Sequence, residues 1–168
     1  MATIKENSLT TSNIYKSRKI LLELLDSRGY DIDEWNDFSI NEIQAMCTNE
    51  QLDMLVNHKT NGKKIYIKYH ILKKLNVKNV CMYQEALFET EEILDKDDEL
   101  IIFTKHKPND TLVKYMKMLL NNEKCFVNIY FMKQYLFNIL KHVNVPPHRV
   151  LTSKEKDDIY SKYNITRD

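Results

Sequence analysis

Glycine is scarce in this chain, which carries only Gly29 and Gly62 among 168 residues. Phosphate-binding loops need several closely spaced glycines, so two isolated ones exclude that class of site. Cysteine is almost as rare, and its three copies are widely spaced, with no CxxC pair and no histidine pair at ligand spacing. The sequence therefore predicts neither a disulfide framework nor a zinc site, and we expect a reducing compartment.

Neither sign of charge prevails, because 25 Lys and Arg face 24 Asp and Glu, for a net charge of +1. Such a balance argues against binding nucleic acid chiefly through overall charge, so any DNA contact must be local. The sequence also lacks an apolar run long enough for a transmembrane helix. Its first residues are polar and lack the apolar stretch that is typical of a signal peptide. We expect a soluble, non-secreted protein with no membrane partner. The bias towards Lys, Asn, Ile and Tyr is typical of an AT-rich genome.

Capping residues mark the elements of the first half. Ser12 and Gly29 bracket a helical pattern that predicts a helix over about 13–28. Ser39 with Glu42 forms a capping box for a short helix that extends to about residue 47. Apolar alternation on both sides of Asn61-Gly62 then predicts a β-hairpin.

The second half alternates helices with strands. Helical spacing over about 78–94 precedes an acidic turn, and the continuous apolar run 100–104 predicts a central strand covered on both faces. A helix capped at Asn109 or Asp110 leads to another strand within 125–131, and strand, helix and strand within about thirty residues form a βαβ unit with parallel strands. The predicted fold class is α/β, a mixed sheet with flanking helices.

Motifs for catalysis are missing. A metal-dependent nuclease commonly pairs a carboxylate with a lysine two residues later, and no Asp or Glu here has one. The sequence also lacks the GxSxG and HExxH patterns. Its five histidines are interpreted as surface or hydrogen-bonded residues: His58, His70, His106, His142 and His148. We therefore predict no catalytic residue, no metal site and no cofactor.

Two charged segments are candidate binding surfaces. Lys105, Lys107 and Lys114 flank Pro108-Asn109-Asp110, where a strand end leads into a helix N-terminus and could meet a phosphate, although a solvated loop explains them as well. The acidic run over residues 89–99 is either a solvated face or a surface for a basic partner.

The segment VPPHRVLTSKEKDDIYSKYNI, Val145 to Ile165, is the most specific part of the sequence. Two prolines predict a stiff extended stretch, and Thr152 with Glu155 predicts a capped helix whose apolar stripe is thin. This segment resembles the entry to the assembly domain of the shared RNA polymerase jaw subunit, the fifth subunit of the eukaryotic enzymes, which has an archaeal counterpart. The matching assembly-motif positions are Val145, Pro146, His148, Leu151, Glu155, Lys156, Lys162 and Tyr163.

Two further stretches extend the resemblance. IYKSRKILLELLDSRGYDI is similar to the first helix of the eukaryotic jaw domain, and FVNIYFMKQYLFNILKHVNVPPHRVLT is similar to homologues of large cytoplasmic DNA viruses. The resemblance implies a restriction-endonuclease-like jaw without catalysis. It further implies a jaw domain over 12–141 and the beginning of a small α+β assembly domain, truncated, over 142–168. The polar residues 1–11 before the first helical pattern are predicted to be a disordered lead.

By this resemblance, we expect a noncatalytic structural subunit of DNA-dependent RNA polymerase whose jaw holds downstream DNA. Its implied partners are the largest and other polymerase subunits, downstream duplex DNA and transcription factors, with Lys105, Lys107 and Lys114 as DNA contacts. The expected location is the nucleus for a cellular protein, or the host cytoplasm and virion for a viral one. Two alternatives stay open: a nuclease-related enzyme with an unrecognised metal site, or a free-standing module that binds a transcription factor.

Overall fold

The computed structural model describes residues 2–146 and 151–163, with side chains from Thr11 onward. The chain forms two compact units, Met1–Phe137 and Asn138–Asp168. The first unit contains four helices and a four-stranded sheet, and its helices are α1 (Ala2–Ser27), α2 (Ile40–Thr48), α3 (Val77–Gln84) and α4 (Asp110–Met118). The strands are β1 (Met54–Asn57), β2 (Lys64–His70), β3 (Glu99–Thr104) and β4 (Phe126–Phe131). No helix within the described ranges is long and apolar enough to cross a membrane.

The sheet has the order β1-β2-β3-β4 and is mixed. β1 and β2 form the predicted antiparallel hairpin, with Met54 opposite Ile67. β2 is parallel to β3, which is parallel to β4, so β3 has neighbours on both sides. The predicted mixed α/β fold, the central strand and the parallel βαβ unit are therefore confirmed.

Two apolar layers cover the sheet. Residues from α1 and α2, including Ile14 and Ile43, pack on the face that carries Ile101 and Phe103. Residues from α3 and α4 pack on the opposite face, which carries Leu100 and Ile102. These four consecutive β3 residues are buried, which explains the unbroken apolar run.

Local capping largely follows the sequence. The Ser39–Glu42 capping box is present, with the Ser39 backbone N–H donating to Glu42 Oε2 at 2.7 Å. Gly29 has the left-handed φ of +89° expected after α1, and Gly62 has a φ of +72° in the hairpin turn. Asn109 caps α4 by accepting from Leu112 N at 3.0 Å.

Element boundaries differ from the prediction in two places. α1 begins at Ala2 rather than near residue 13, so its backbone includes residues that we expected to form a disordered lead. The predicted helix over 78–94 is α3 followed by π-type turns at Glu85–Thr90, and it ends before Glu92, whose φ is +50°. A positive φ is incompatible with a continuing right-handed helix.

The second unit contains a short 3₁₀ helix, Ile139–Lys141, and α5, Ser153–Tyr163. The Thr152–Glu155 capping box is present, since the Thr152 backbone N–H and hydroxyl both donate to Glu155 Oε2 at 2.9 Å. α5 has no buried residue. The predicted capped helix is confirmed, whereas His148, together with the extended stretch around it, lies outside the described residues.

Candidate nucleic-acid interface

The carboxyl ends of β2, β3 and β4 meet at one edge of the sheet because the three strands are parallel. The segments that leave these strands are rich in lysine and hold no carboxylate before Asp110. We call this surface the basic edge, and its exposed lysines are Lys73, Lys74, Lys105, Lys107 and Lys133. The sequence alone identified Lys105 and Lys107, but it missed the other three because only the strand order brings them to this edge.

The loop after β3 has a defined conformation. The Thr104 hydroxyl donates to the carbonyl oxygen of His106 at 2.7 Å, and Asn109 caps the following helix. Lys105 and Lys107 are exposed on either side of His106, while Lys114 is exposed one turn into α4. None of these three lysines forms a salt bridge with a residue that the structure describes. Their ammonium groups are therefore available to an external anion.

The opposite end of the sheet is richer in carboxylates. The segment 91–99, which leads into β3, carries six carboxylates and one lysine. One of these carboxylates, Asp98, is buried and accepts from the backbone N–H of Lys64 at 2.7 Å. Basic groups also lie at this end, since Lys64 Nζ donates to the carbonyl oxygen of Ile93 at 3.2 Å and Arg28 pairs with Glu99 at 3.3 Å.

A polar cleft of about 290 Å³ lies beside the end of β2. Asp53 lines this cleft. Its Oδ2 accepts from Lys68 Nζ at 2.5 Å and from the Tyr66 hydroxyl at 3.4 Å. Its Oδ1 accepts from the backbone N–H of Tyr69 at 2.9 Å. Burial lowers the pKa of Lys68, but its hydrogen bond and attraction to Asp53 outweigh this effect and raise the pKa overall. Both carboxylate oxygens are already used by the protein.

This cleft bears on the nuclease alternative. Tyr66 stands two residues before Lys68, where the nuclease signature has a carboxylate. His70 Nδ1 lies 2.8 Å from the Tyr83 hydroxyl, and burial lowers the pKa of His70. No group of three or more His, Cys, Asp or Glu that could hold a metal ion occurs in the described part of the chain. The geometry gives the nuclease alternative no specific support.

The residues of the assembly motif are presented mostly to solvent in the second unit. Leu151 is 41% exposed and Tyr163 is 64% exposed. Lys156 Nζ lies 5.4 Å from the centre of the Tyr160 ring, and Val145 N donates to His142 O at 2.9 Å. Pro146 is exposed as well. The unit therefore offers unburied apolar groups next to charged ones.

Comparison with known proteins gives matches in both parts of the chain. Residues 137–168 match the family model described as RNA polymerase Rpb5, C-terminal domain. The chain is 25% identical over 169 residues to DNA-directed RNA polymerases IV and V subunit 5B of Arabidopsis thaliana, an alignment that covers 97% of this chain and 74% of that protein.

Archaeal relatives match a shorter stretch. The chain is 57% identical over 30 residues to DNA-directed RNA polymerase subunit Rpo5 of Pyrococcus horikoshii and, equally, of Pyrococcus abyssi. This stretch covers 18% of this chain and 37% of each archaeal subunit. Residues 137–168 thus resemble the Rpb5 C-terminal domain, and these matches support a place for the chain in the subunit 5 family of DNA-directed RNA polymerases, whose members are noncatalytic subunits.

Proposed function

We propose that the first unit serves as a jaw that contacts the backbone of downstream duplex DNA during transcription. The observation that carries this proposal is the basic edge, where Lys105 and Lys107 project from a capped loop without a carboxylate partner among the described residues. Lysines of this kind bind phosphate as point charges and carry no sequence information. The contact is therefore independent of DNA sequence.

The isolated chain should bind DNA weakly. If Lys105, Lys107 and Lys114 each neutralise one phosphate, a plot of log K against log salt concentration should have a slope of about −2.7, from about −0.9 per contact. Participation of Lys73, Lys74 and Lys133 would make the slope steeper. Tight binding that does not respond to salt would contradict the proposal.

Fluorescence anisotropy with a labelled duplex tests the assignment. The variant Lys105→Gln/Lys107→Gln should bind the duplex more weakly. Its slope of log K against log salt concentration should be shallower by about 1.8, for the loss of two phosphate contacts. Lys63→Gln/Lys96→Gln is the matched control, because it removes the same charge from exposed lysines outside the basic edge. Equal losses in the two double variants would show that only overall charge matters and would overturn the proposed site.

The same samples address the nuclease alternative. Incubation with duplex and single-stranded DNA plus Mg²⁺ or Mn²⁺ should leave both substrates intact. Metal-dependent cleavage that disappears in Asp53→Asn would assign a catalytic role to the polar cleft and contradict a noncatalytic jaw.

We further propose that the second unit docks on the largest polymerase subunit through the assembly motif. The family match over residues 137–168 and the exposure of Leu151 and Tyr163 support this proposal. Tagged protein should co-purify with polymerase subunits from source cells, and Leu151→Asp should abolish that recovery while DNA binding by the first unit persists. Recovery of a lone regulator without polymerase would favour the interaction-module alternative.

A nuclear location for a cellular protein, or the host cytoplasm and virion for a viral one, follows from the proposed role. A viral source is proposed only from the resemblance of residues 126–152 to homologues of large cytoplasmic DNA viruses and from the Lys and Asn bias. Imaging of a tagged chain in source cells, together with polymerase, tests the location.

A further inference from the structure

A buried arginine lies at a small surface cavity between α1 and the connection that follows it. Arg18, on α1, is only 2% exposed, and its Nη1 donates to the carbonyl oxygen of Leu52 at 3.0 Å. Its Nε and Nη2 atoms are buried and donate to no group among the described residues. The guanidinium thus keeps unused donors in a place where unsatisfied polar groups are costly.

Among the described residues, no carboxylate lies within salt-bridge distance of the Arg18 guanidinium. The Tyr69 hydroxyl interacts electrostatically with the guanidinium but does not meet hydrogen-bond geometry. Burial lowers the pKa of Arg18, yet an arginine starts from so high a value that it remains charged at neutral pH. A buried, unpaired cation is an unusual feature for a protein to retain without a partner.

Aromatic rings adjoin the guanidinium. Its Cζ atom lies 5.6 Å from the centre of the Trp35 ring and 5.5 Å from that of Phe38. Both rings belong to the connection between α1 and α2, which contains the short 3₁₀ helix Asp33–Trp35. Cation–π contacts at these distances offset part of the desolvation cost but leave the N–H donors unused.

A cavity of about 290 Å³ adjoins these groups. Its apolar wall includes Leu22, Trp35 and Phe38, and its polar lining includes Arg18, Lys19 and Asp37. Lys19 adds positive charge at the rim, whereas Asp37 and the nearby Glu34 add negative charge. The volume suits one or two amino-acid side chains.

We infer that this cavity is a binding site for a carboxylate side chain of an acidic peptide segment in a partner protein. A planar guanidinium with free donors matches a carboxylate in shape and charge, and the apolar wall suits an aliphatic neighbour in the same peptide. Since Nε and Nη2 are buried, binding requires the Trp35–Phe38 connection to shift and expose them. This site is separate from the proposed DNA contact, so neither proposal depends on the other.

Trp35 is the chain's only tryptophan, so its fluorescence reports directly on the cavity. The probe is acetyl-Asp-Leu-amide, and its matched control is acetyl-Asn-Leu-amide, which has the same shape without the charge. We expect a saturable fluorescence change with the Asp peptide and an affinity at least tenfold lower for the Asn peptide. Similar responses to both peptides, or no response to either at millimolar concentration, would overturn the inference.

Protein variants provide the second arm. Arg18→Met removes the donors but retains an apolar side chain of similar length, and it should abolish the response to the Asp peptide while thermal unfolding confirms folding. Lys19→Gln should change the affinity less than threefold. If Arg18→Met still gives the fluorescence response to the Asp peptide, the assignment to Arg18 is wrong. If Arg18→Met does not fold, a tenfold loss of peptide affinity in Lys19→Gln would contradict the assignment instead.

Small anions distinguish the source of the charge. Sodium acetate should bind at least tenfold more weakly than the Asp peptide, because it lacks the apolar neighbour. Acetate binding as strong as that of the peptide would contradict a peptide site, and stronger binding of inorganic phosphate would contradict a carboxylate site.

Discussion

Replacement of Gly29 by alanine tests whether the turn after α1 is limited by backbone conformation alone or also by packing. Gly29 has a φ of +89°, and a Cβ atom built there would lie 3.0 Å from His58 Nε2 and 3.2 Å from His58 Cε1. Two contacts hold the His58 ring in place. The Thr60 backbone N–H donates to its Nδ1 at 3.2 Å, and the ring packs edge-on against Tyr30 with 4.9 Å between the ring centroids. Gly29→Ala therefore imposes both strain and a clash.

Gly62 supplies the matched control. Its φ is +72°, but nothing lies within 4 Å of the position that a Cβ would take. Gly62→Ala should cost about 1–2 kcal/mol of unfolding free energy, from the left-handed conformation alone. Gly29→Ala should cost about 1–3 kcal/mol more, from displacement of the His58 ring. In a chain of this size each kcal/mol lowers Tm by about 2–4 °C.

Urea denaturation followed by circular dichroism measures both variants. In a His58→Ala background, Gly29→Ala should cost about as much as Gly62→Ala, because the clash has been removed. Equal destabilisation by the two glycine substitutions in the original chain would refute the role of His58. An undiminished effect of Gly29→Ala in the His58→Ala background would refute it as well.

Three further predictions concern polar groups. Hydrogen bonds from the Ser39 side chain and backbone lower the pKa of Glu42. The ionised carboxylate therefore stabilises the fold fully above pH 4.5, its usual pKa, and this stability is lost as pH falls through the lowered pKa. Ser39→Ala should raise the pKa of Glu42 in an NMR titration. Burial raises the pKa of Tyr69 from 10.0 to about 12, and Arg18 partly opposes this shift. The stability contributed by the protonated Tyr69 is therefore complete below pH 10 and is lost as the pH rises towards 12. Tyr69→Phe should reduce the fall in unfolding free energy at alkaline pH, as measured by urea denaturation. Asp53→Ala leaves Lys68 unpaired and should cost about 2–3 kcal/mol in the same assay, whereas Asp53→Asn, which keeps an acceptor for Tyr69 N, should cost less.

Local signals predicted the elements whose ends are fixed by nearby residues. Ser39 and Glu42 are three apart, so the capping box can be read from the sequence, and the same holds for Thr152 and Glu155. The buried run of β3 was also recognisable, because a strand covered on both faces has no alternation. The start of α1 was not, since the polar residues before Ser12 carry no apolar periodicity to indicate a helix.

The candidate site was only partly predictable for a different reason. Lys105 and Lys107 follow a recognisable strand, but Lys73 and Lys133 join them only through the parallel order of β2, β3 and β4. Arg18 and Trp35 come together through packing of α1 against the following connection, and no spacing rule relates them. Long-range contacts of this kind carry no local sequence signal.

The lysines of the basic edge have a consequence for the proposed encounter with DNA. A molecule with a net charge of +1 experiences little overall attraction to a polyanion at long range. The attraction is therefore local, and the lysines of the basic edge act on a phosphate only within about 8 Å at physiological salt, the distance over which dissolved ions screen exposed charges. If this edge is the DNA contact, added salt should shorten that distance and weaken the contact, while encounters through other parts of the surface should change little.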